Sequence, residues 1–168
     1  FNHVSAIVET RLSKLARVLP AMCVRPASGD GDDLMTARAS TKILAAASNA
    51  LDMSHILSRG TLWAELCGAA FYKVGWDDTG DGDVAIETVS PFEIYPEDLA
   101  AADMADQGSI IHARAVPVER IYATYGVEVA AEPLHGVDGA PLAGCALVIE
   151  RYTRPTGDDC GALTVGAN

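Results

Sequence analysis

Hydrophobic and polar positions alternate most regularly between residues 71 and 89, where two short runs flank an acidic segment that contains glycine. A period of two is typical of a strand with one apolar face. Because the two runs are close together, they predict an antiparallel hairpin that is symmetric about Gly80. Its predicted buried face, the structural core of the hairpin, consists of Tyr72, Val74, Trp76, Val84 and Ile86.

The pattern also predicts the register of this hairpin. Val74 should lie opposite Ile86, and Trp76 opposite Val84. Lys73 and Glu87 should form an opposite-charge pair on the other face. Such cross-strand pairs contribute about 0.2–1 kcal/mol each, and a shift of one residue would move every side chain to the wrong face. On this interpretation Trp76→Ala opens a core cavity and costs about 3–5 kcal/mol.

Upstream of the hairpin, apolar residues recur at helical spacing. Residues 4–19 predict an amphipathic helix that ends before Pro20. The alanine-rich segment from residue 33 to residue 70 predicts two helices, near 33–51 and 54–69, because Asp and Ser around residue 52 favour caps over helix interiors. Ile56, Trp63 and Leu66 should mark the buried side of the second helix, and small residues such as Gly60 should let a neighbouring backbone approach closely.

Downstream of the hairpin, shorter elements follow. Pro117 and Gly126 suit the first turn and the end of one helix, and residues 127–145 have no sustained period. The remaining predicted strands are 22–25, 109–116, 146–154 and 162–165.

These elements predict an α+β fold in which amphipathic helices pack on antiparallel β-hairpins. The predicted division is an α+β core at 1–126, a loop-rich insertion at 127–145 and a further hairpin at 146–168. A chain of 168 residues can bury one core. Because the sequence begins at Phe1, close to the start of a helix, we expect it to be a piece of a longer polypeptide. We also expect no signal peptide.

The net charge of the chain disfavours two classes of binding partner. Twelve Lys and Arg oppose 23 Asp and Glu, a net charge of −11, which disfavours binding to nucleic acid through its phosphates and to anionic membranes. No apolar run is long enough to span a bilayer. The same acidity suits a surface past which DNA slides without adhering.

Candidate metal and catalytic groups are weak. Counted from Asp77, the acidic tip matches an EF-hand loop at Asp81 and Gly82, but Thr88 stands where the bidentate Glu is required. The histidines have no partner at zinc-ligand spacing. We therefore predict no catalytic, cofactor or metal site.

The other reactive side chains also have plain structural interpretations. The acidic residues after the hairpin are interpreted as a solvated face rather than a two-metal site: Glu97, Asp98, Asp103 and Asp106. Cys23 and Cys67 are interpreted as small buried hydrophobes, and Cys145 and Cys160 as loop residues. All four are expected to be reduced.

Several short motifs, in order, resemble the portal proteins of tailed bacteriophages. The clearest are G-x-x-F-x-K-V at Gly68–Val74, W-D at Trp76-Asp77, V-x-I-E-x-V-x-P at Val84–Pro91 and Y-P-x-D at Tyr95–Asp98. The resemblance extends to Val8–Leu15, Pro20, Ile110–Arg114, Pro117–Ile121 and Tyr125-Gly126, and weakly to Val148–Pro155.

This resemblance implies the wing region of a portal: a ring, dodecameric in the family, at one capsid vertex of the virion, assembled in the host cytoplasm. Such a ring is a conduit for DNA packaging and ejection, without sequence-specific DNA binding. It contacts capsid protein, the terminase large subunit and tail or adaptor proteins, and is not itself an enzyme. Stem helices and a tunnel loop chiefly line the family's channel, so no channel residue is assigned here.

Two alternatives belong to other functional classes. One is an acidic monomeric hydrolase that depends on a metal held by scattered carboxylates. The other is a monomeric adaptor or binding module. Particle size separates both from a ring.

Overall fold

The computed structural model describes residues 2–15, 20, 22–77, 82–136, 138–157 and 161–167. The chain divides into two compact units at residues 91 and 92, whereas the sequence predicted divisions at 126 and 145. The strands on either side of residue 126 pair with one another in a single sheet. We call residues 1–91 the helical unit and residues 92–168 the sheet unit.

The helical unit contains the helices α1 (His3–Leu15), α2 (Gly31–Ala50) and α3 (Met53–Cys67), followed by strands β1 (Phe71–Asp77) and β2 (Asp83–Val89). The three predicted helices are confirmed, although residues 16–19 of the first lie outside the described part of the chain. The predicted strand at 22–25 is wrong. Its backbone is irregular, and the Val24 N–H donates to Oγ1 of Thr41 at 3.0 Å rather than to another strand.

The break between α2 and α3 falls where the sequence predicted it. Asp52 adopts a left-handed conformation with φ of 47°, and its carboxylate accepts a hydrogen bond from Oγ of Ser54 at 2.8 Å. At the other end of α3, Gly68 has φ of 79° and closes the last turn by donating to the carbonyl of Ala64. Positive φ values favour glycine and, among other residues, Asn and Asp.

The sheet unit is built on four antiparallel strands in the order β3-β4-β7-β8. The strands are β3 (Ile94–Pro96), β4 (Ser109–Pro117), β7 (Cys145–Thr153) and β8 (Leu163–Ala167), and helix α4 (Val118–Tyr125) follows β4. The predicted strands at 109–116, 146–154 and 162–165 are confirmed, as is the helix between Pro117 and Gly126. Among its described residues, the predicted loop at 127–145 contains a small ladder, β5 (Leu134–His135) with β6 (Pro141–Leu142), and ends where β7 begins.

The core of the sheet unit lies where α4 packs on the sheet. Ile121 of α4 is 1% exposed and contacts a cluster of Val116, Ala146 and Val148. Mixed helices and antiparallel sheets make the fold α+β, as predicted. Among the described helices, none combines the length and the apolar character that crossing a bilayer requires.

Candidate interaction surface

The hairpin β1–β2 has the register that the sequence predicted. Val74 lies opposite Ile86, Trp76 opposite Val84, and Lys73 opposite Glu87. Because directly opposed residues share a face of the ladder, the five predicted side chains from Tyr72 to Ile86 form one apolar face. The tip residues 78–81, which include the centre of the acidic segment compared with an EF-hand loop and interpreted as a turn, lie outside the described residues.

The base of this face is fixed to α3. The ring of Tyr72 lies against Gly60, so closely that a Cβ at residue 60 would overlap the phenol. Beside it, Oγ1 of Thr88 donates to the carbonyl of Ile56 at 3.0 Å. Gly60 therefore does admit a close neighbour, but that neighbour is an aromatic side chain rather than the backbone that the sequence predicted. Of the predicted buried residues of α3, Ile56 and Trp63 are half-buried, but Leu66 is exposed.

The outer half of the same face is not buried. Val74 is 67% exposed, Trp76 66% and Val84 38%, while Ile86 is half-buried. The prediction of a buried hairpin face is therefore wrong for Val74, Trp76 and Val84 within a single chain, because the contacts with α3 are made at the base. It is also wrong for Tyr72, which stays 43% exposed although its ring contacts Gly60. We call Val74, Trp76, Val84 and Ile86 the apolar ridge.

The end of the ridge combines apolar and acidic character. The indole of Trp76 lies over Gly82, so closely that a Cβ at residue 82 would overlap the ring, and Gly82 also has a positive φ of 78°. Asp77 and Asp83 stand directly opposite one another at the last described pair of the ladder. Like charges in opposed positions repel one another, and the Asp83 carboxylate accepts a hydrogen bond from the Val84 N–H at 2.7 Å.

A second apolar surface lies between α1 and α3. It is a groove of about 550 Å³, within the range of about 300–1,000 Å³ that is typical of ligand sites. Leu15 and Leu62 are partly exposed in its wall. We call it the α1–α3 groove; its apolar lining is Leu12, Leu15, Pro20, Leu57 and Leu62, and its polar lining Ser13, His55, Ser58, Arg59 and Thr61.

An ion pair joins the two helices beside this groove. The guanidinium of Arg11 meets the Glu65 carboxylate through Nε at 2.5 Å and through a second nitrogen at 3.0 Å. The hydrogen bond to Glu65, supported by its charge, raises the pKa of Arg11 further above its ordinary value. Arginine is always charged in proteins, so this partly exposed pair adds a polar link between α1 and α3.

The sheet unit contains a buried polar cluster that the sequence did not predict. Nδ1 of His112 lies 2.9 Å from Oε2 of Glu150, and Nε2 lies 3.3 Å from Oε2 of Glu93. Tyr152 Oη donates to Oε2 of Glu150 at 3.1 Å. His112 and Glu150 are only 3% and 6% exposed.

This cluster braces the sheet rather than presenting a reactive group. Both ring nitrogens of His112 face carboxylate oxygens, which only accept hydrogen bonds when ionised. An imidazolium satisfies both contacts, and neither nitrogen is left pointing to solvent. The only indication of this cluster in the sequence was a His and a Glu on two predicted strands. Because the two residues are 38 positions apart, only the register of the strand pair shows that they meet.

The acidic segment after the hairpin does not converge on a site. Carboxylates of Asp98 and Asp103 accept hydrogen bonds from nearby backbone N–H groups at residues 100 and 105, and Glu97 lies 3.8 Å from the Arg151 guanidinium. In the part of the chain that the structure describes, no three His, Cys, Asp or Glu side chains are placed to hold a metal ion.

The cysteines are placed differently from the prediction. Cys23 and Cys67 are exposed rather than buried, and Cys145 begins strand β7 rather than lying in a loop. Cys160 lies outside the described residues.

Comparison with known proteins adds no family assignment. No protein-family model matches the chain, and no curated protein is significantly similar to it in sequence.

Proposed function

We propose that this chain is a structural subunit of a tailed-bacteriophage portal ring and forms part of its wing region. The observation that carries the proposal is the apolar ridge, a paired row of large side chains on an ordered hairpin that a single chain leaves in solvent. The sequence motifs that resemble portal proteins run through the same hairpin, from Gly68 to Asp98.

Physical reasoning favours an assembling protein. Large contiguous apolar patches on soluble chains mark surfaces that bind other proteins, and Trp is enriched among the residues that dominate such interfaces. A ring of identical subunits gives each ridge a neighbouring surface to cover it. The proposal therefore explains why the hairpin has strand-like patterning without a core beneath its outer half.

In this role the ring acts as a conduit at a capsid vertex of the virion, assembled in the host cytoplasm. DNA passes through it during packaging and ejection, and the net charge of −11 opposes adhesion of DNA to the subunit surface. The partners are capsid protein, the terminase large subunit, and tail or adaptor proteins. The subunit itself performs no catalysis and needs no cofactor.

The test is the mass and shape of the full-length polypeptide, measured by light scattering after size exclusion and by electron microscopy. We expect a closed ring, dodecameric as in the family that the sequence resembles. A species of one chain mass at every concentration would contradict the proposal. In that event, a metal-dependent rise in thermal stability with hydrolytic turnover would favour the hydrolase, and binding to one partner without turnover would favour the adaptor.

A further inference from the structure

The contact between His112 and Glu93 joins the edge of the four-stranded sheet to its interior. Glu93 is the last residue of a 3₁₀ turn and directly precedes the edge strand β3. This strand has only three residues, and its first residue, Ile94, pairs with His112 itself. Because so short a ladder provides few backbone hydrogen bonds, the side-chain contact beside it carries a large share of the attachment of β3.

The two carboxylates around His112 differ in how far they are buried. The side chain of Glu150 is 8% exposed and that of Glu93 is 36% exposed. Glu150 lies 2.9 Å from Nδ1 and also accepts a hydrogen bond from Tyr152, whereas Glu93 lies 3.3 Å from Nε2. Since Glu93 has the longer contact and has water within reach, it is the carboxylate that leaves when the ring can bind only one.

The ring can donate to both carboxylates only as an imidazolium. A neutral imidazole has one N–H, and its other nitrogen presents a lone pair. The shorter, more buried contact with Glu150 keeps the N–H on Nδ1, so the lone pair of Nε2 then faces Oε2 of Glu93. Two acceptors at this distance repel one another. Loss of one proton therefore changes the contact with Glu93 from attraction to repulsion.

Further titratable groups lie beside Glu150. They line with it a cavity of about 90 Å³: Arg114 of β4, and Arg120 and Tyr125 of α4. The residues that pair with His112 and Glu150 from the two outer strands are apolar, namely Ile94 and Val165. Burial of the ring and the two guanidiniums disfavour the imidazolium. The two carboxylates contact the ring directly, however, and electrostatic energy falls with distance, so the charged ring prevails.

We propose that His112 is a pH-sensitive switch that holds β3 on the sheet while its ring is charged and releases β3 when the ring loses its proton. The native state then keeps a proton that the unfolded chain gives up. The stabilising contribution is therefore complete below the ordinary histidine pKa of about 6.5. It is lost as the pH rises from there through the titration of the folded state. The switch lies within the sheet unit and does not depend on the proposed portal function.

The first test observes the proton itself. The chain has four histidines, and the other three, His3, His55 and His135, are exposed. Replacing these three by glutamine in the full-length polypeptide leaves His112 as the only imidazole. Magic-angle-spinning NMR with ¹⁵N-labelled histidine, which tolerates large assemblies, should show imidazolium nitrogens about one pH unit above the ordinary value of about 6.5. A ring that deprotonates at or below the ordinary value overturns the inference.

The second test observes the release of β3. Hydrogen exchange of residues 92–98, corrected for the intrinsic effect of pH on exchange, should show less protection as the pH rises. The loss should reach up to about tenfold per pH unit, the limit for one linked proton. In Glu93→Gln the side-chain carbonyl accepts from the charged ring and the side-chain NH₂ donates to the neutral one. Protection in this variant should therefore no longer depend on pH.

Glu97→Gln is the matched control for the second test. It makes the same change in the same segment, at an exposed carboxylate that lies 3.8 Å from the Arg151 guanidinium rather than beside the ring. We expect this variant to keep the pH dependence of the unmodified protein. Protection that does not vary with pH in the unmodified protein, or that varies equally in Glu93→Gln, overturns the inference. The NMR test leaves Glu93 in place, so it decides the question even if Glu93→Gln fails to fold.

Discussion

The two units of the chain use their apolar side chains in opposite ways. In the sheet unit, α4 and the paired strands bury Ile121, Ala146 and Val148. In the helical unit, the only buried positions among the described residues are Ala37, Gly60 and Val89, two of them small. Burial of apolar area is the main source of folding stability. The sheet unit therefore carries its own core, whereas much of the apolar surface of the helical unit is left exposed.

The largest expected loss of stability comes from disrupting the buried polar cluster of His112, Glu150 and Tyr152 in the sheet unit. Glu150→Ala leaves His112 and Tyr152 without a shared acceptor in a buried position, and breaking a buried charge pair costs about 3–5 kcal/mol. We expect this loss in urea unfolding followed by circular dichroism. Ile149→Ala is the control, because its side chain on the next position of β7 is 40% exposed.

Fluorescence sharpens the same experiment. Both tryptophans, Trp63 and Trp76, belong to the helical unit, so their emission follows that unit alone. If Glu150→Ala moved the fluorescence midpoint as far as the circular dichroism midpoint, the two units would unfold as one cooperative body. The conclusion that the sheet unit has a core of its own, separate from the helical unit, would then be wrong.

The next largest expected effect comes from opening a cavity in the core of the sheet unit. Ile121→Ala removes a side chain that is 1% exposed, and such truncations cost about 2–5 kcal/mol through lost transfer energy and a residual cavity. Tyr122→Ala, the adjacent and 56% exposed position on α4, should cost far less. Equal losses of unfolding free energy for the two variants would contradict the assignment of the core.

An intermediate effect tests the contact that joins the hairpin to α3. Gly60→Ala places a Cβ in the space of the Tyr72 ring, and overpacking costs about 1–3 kcal/mol. In a Tyr72→Ala background the space is empty, so the same change should stabilise by up to about 1 kcal/mol through helix propensity. Chemical denaturation of the unmodified chain and the three variants gives the coupling free energy between the two positions. If Gly60→Ala had the same sign in both backgrounds, the Tyr72 ring would not occupy the space beside Gly60.

The smallest expected loss of unfolding free energy is that of truncating Trp76. Trp76→Ala should cost only about 0.2–1 kcal/mol of unfolding free energy in the isolated chain, the value of a cross-strand pair, because the indole is 66% exposed. A loss of several kcal/mol, the size expected from a core cavity, would mean that the ridge is buried within one chain.

Local pattern was enough to predict several elements in detail. The register of the hairpin follows from matching Val74 with Ile86 and Lys73 with Glu87, since all of its information lies within a short segment. The helix between Pro117 and Gly126 is equally local, because a proline and a glycine specify its two ends.

Burial and long-range pairing were not predictable in the same way. Alternation shows which side chains share a face, but whether anything covers that face depends on distant parts of the chain or on other chains. The exposed ridge and the exposed Cys23 and Cys67 illustrate this. The contact between His112 and Glu150 could not be predicted without the register of two strands that are separated by a helix and a long connection.

The close approach of Tyr72 to Gly60 also has an evolutionary consequence. An aromatic ring at position 72 requires a residue without a side chain at position 60, because the ring occupies the space of the missing Cβ. The two sites should therefore diversify in concert. Relatives with a bulkier residue at position 60 should carry a smaller one at position 72.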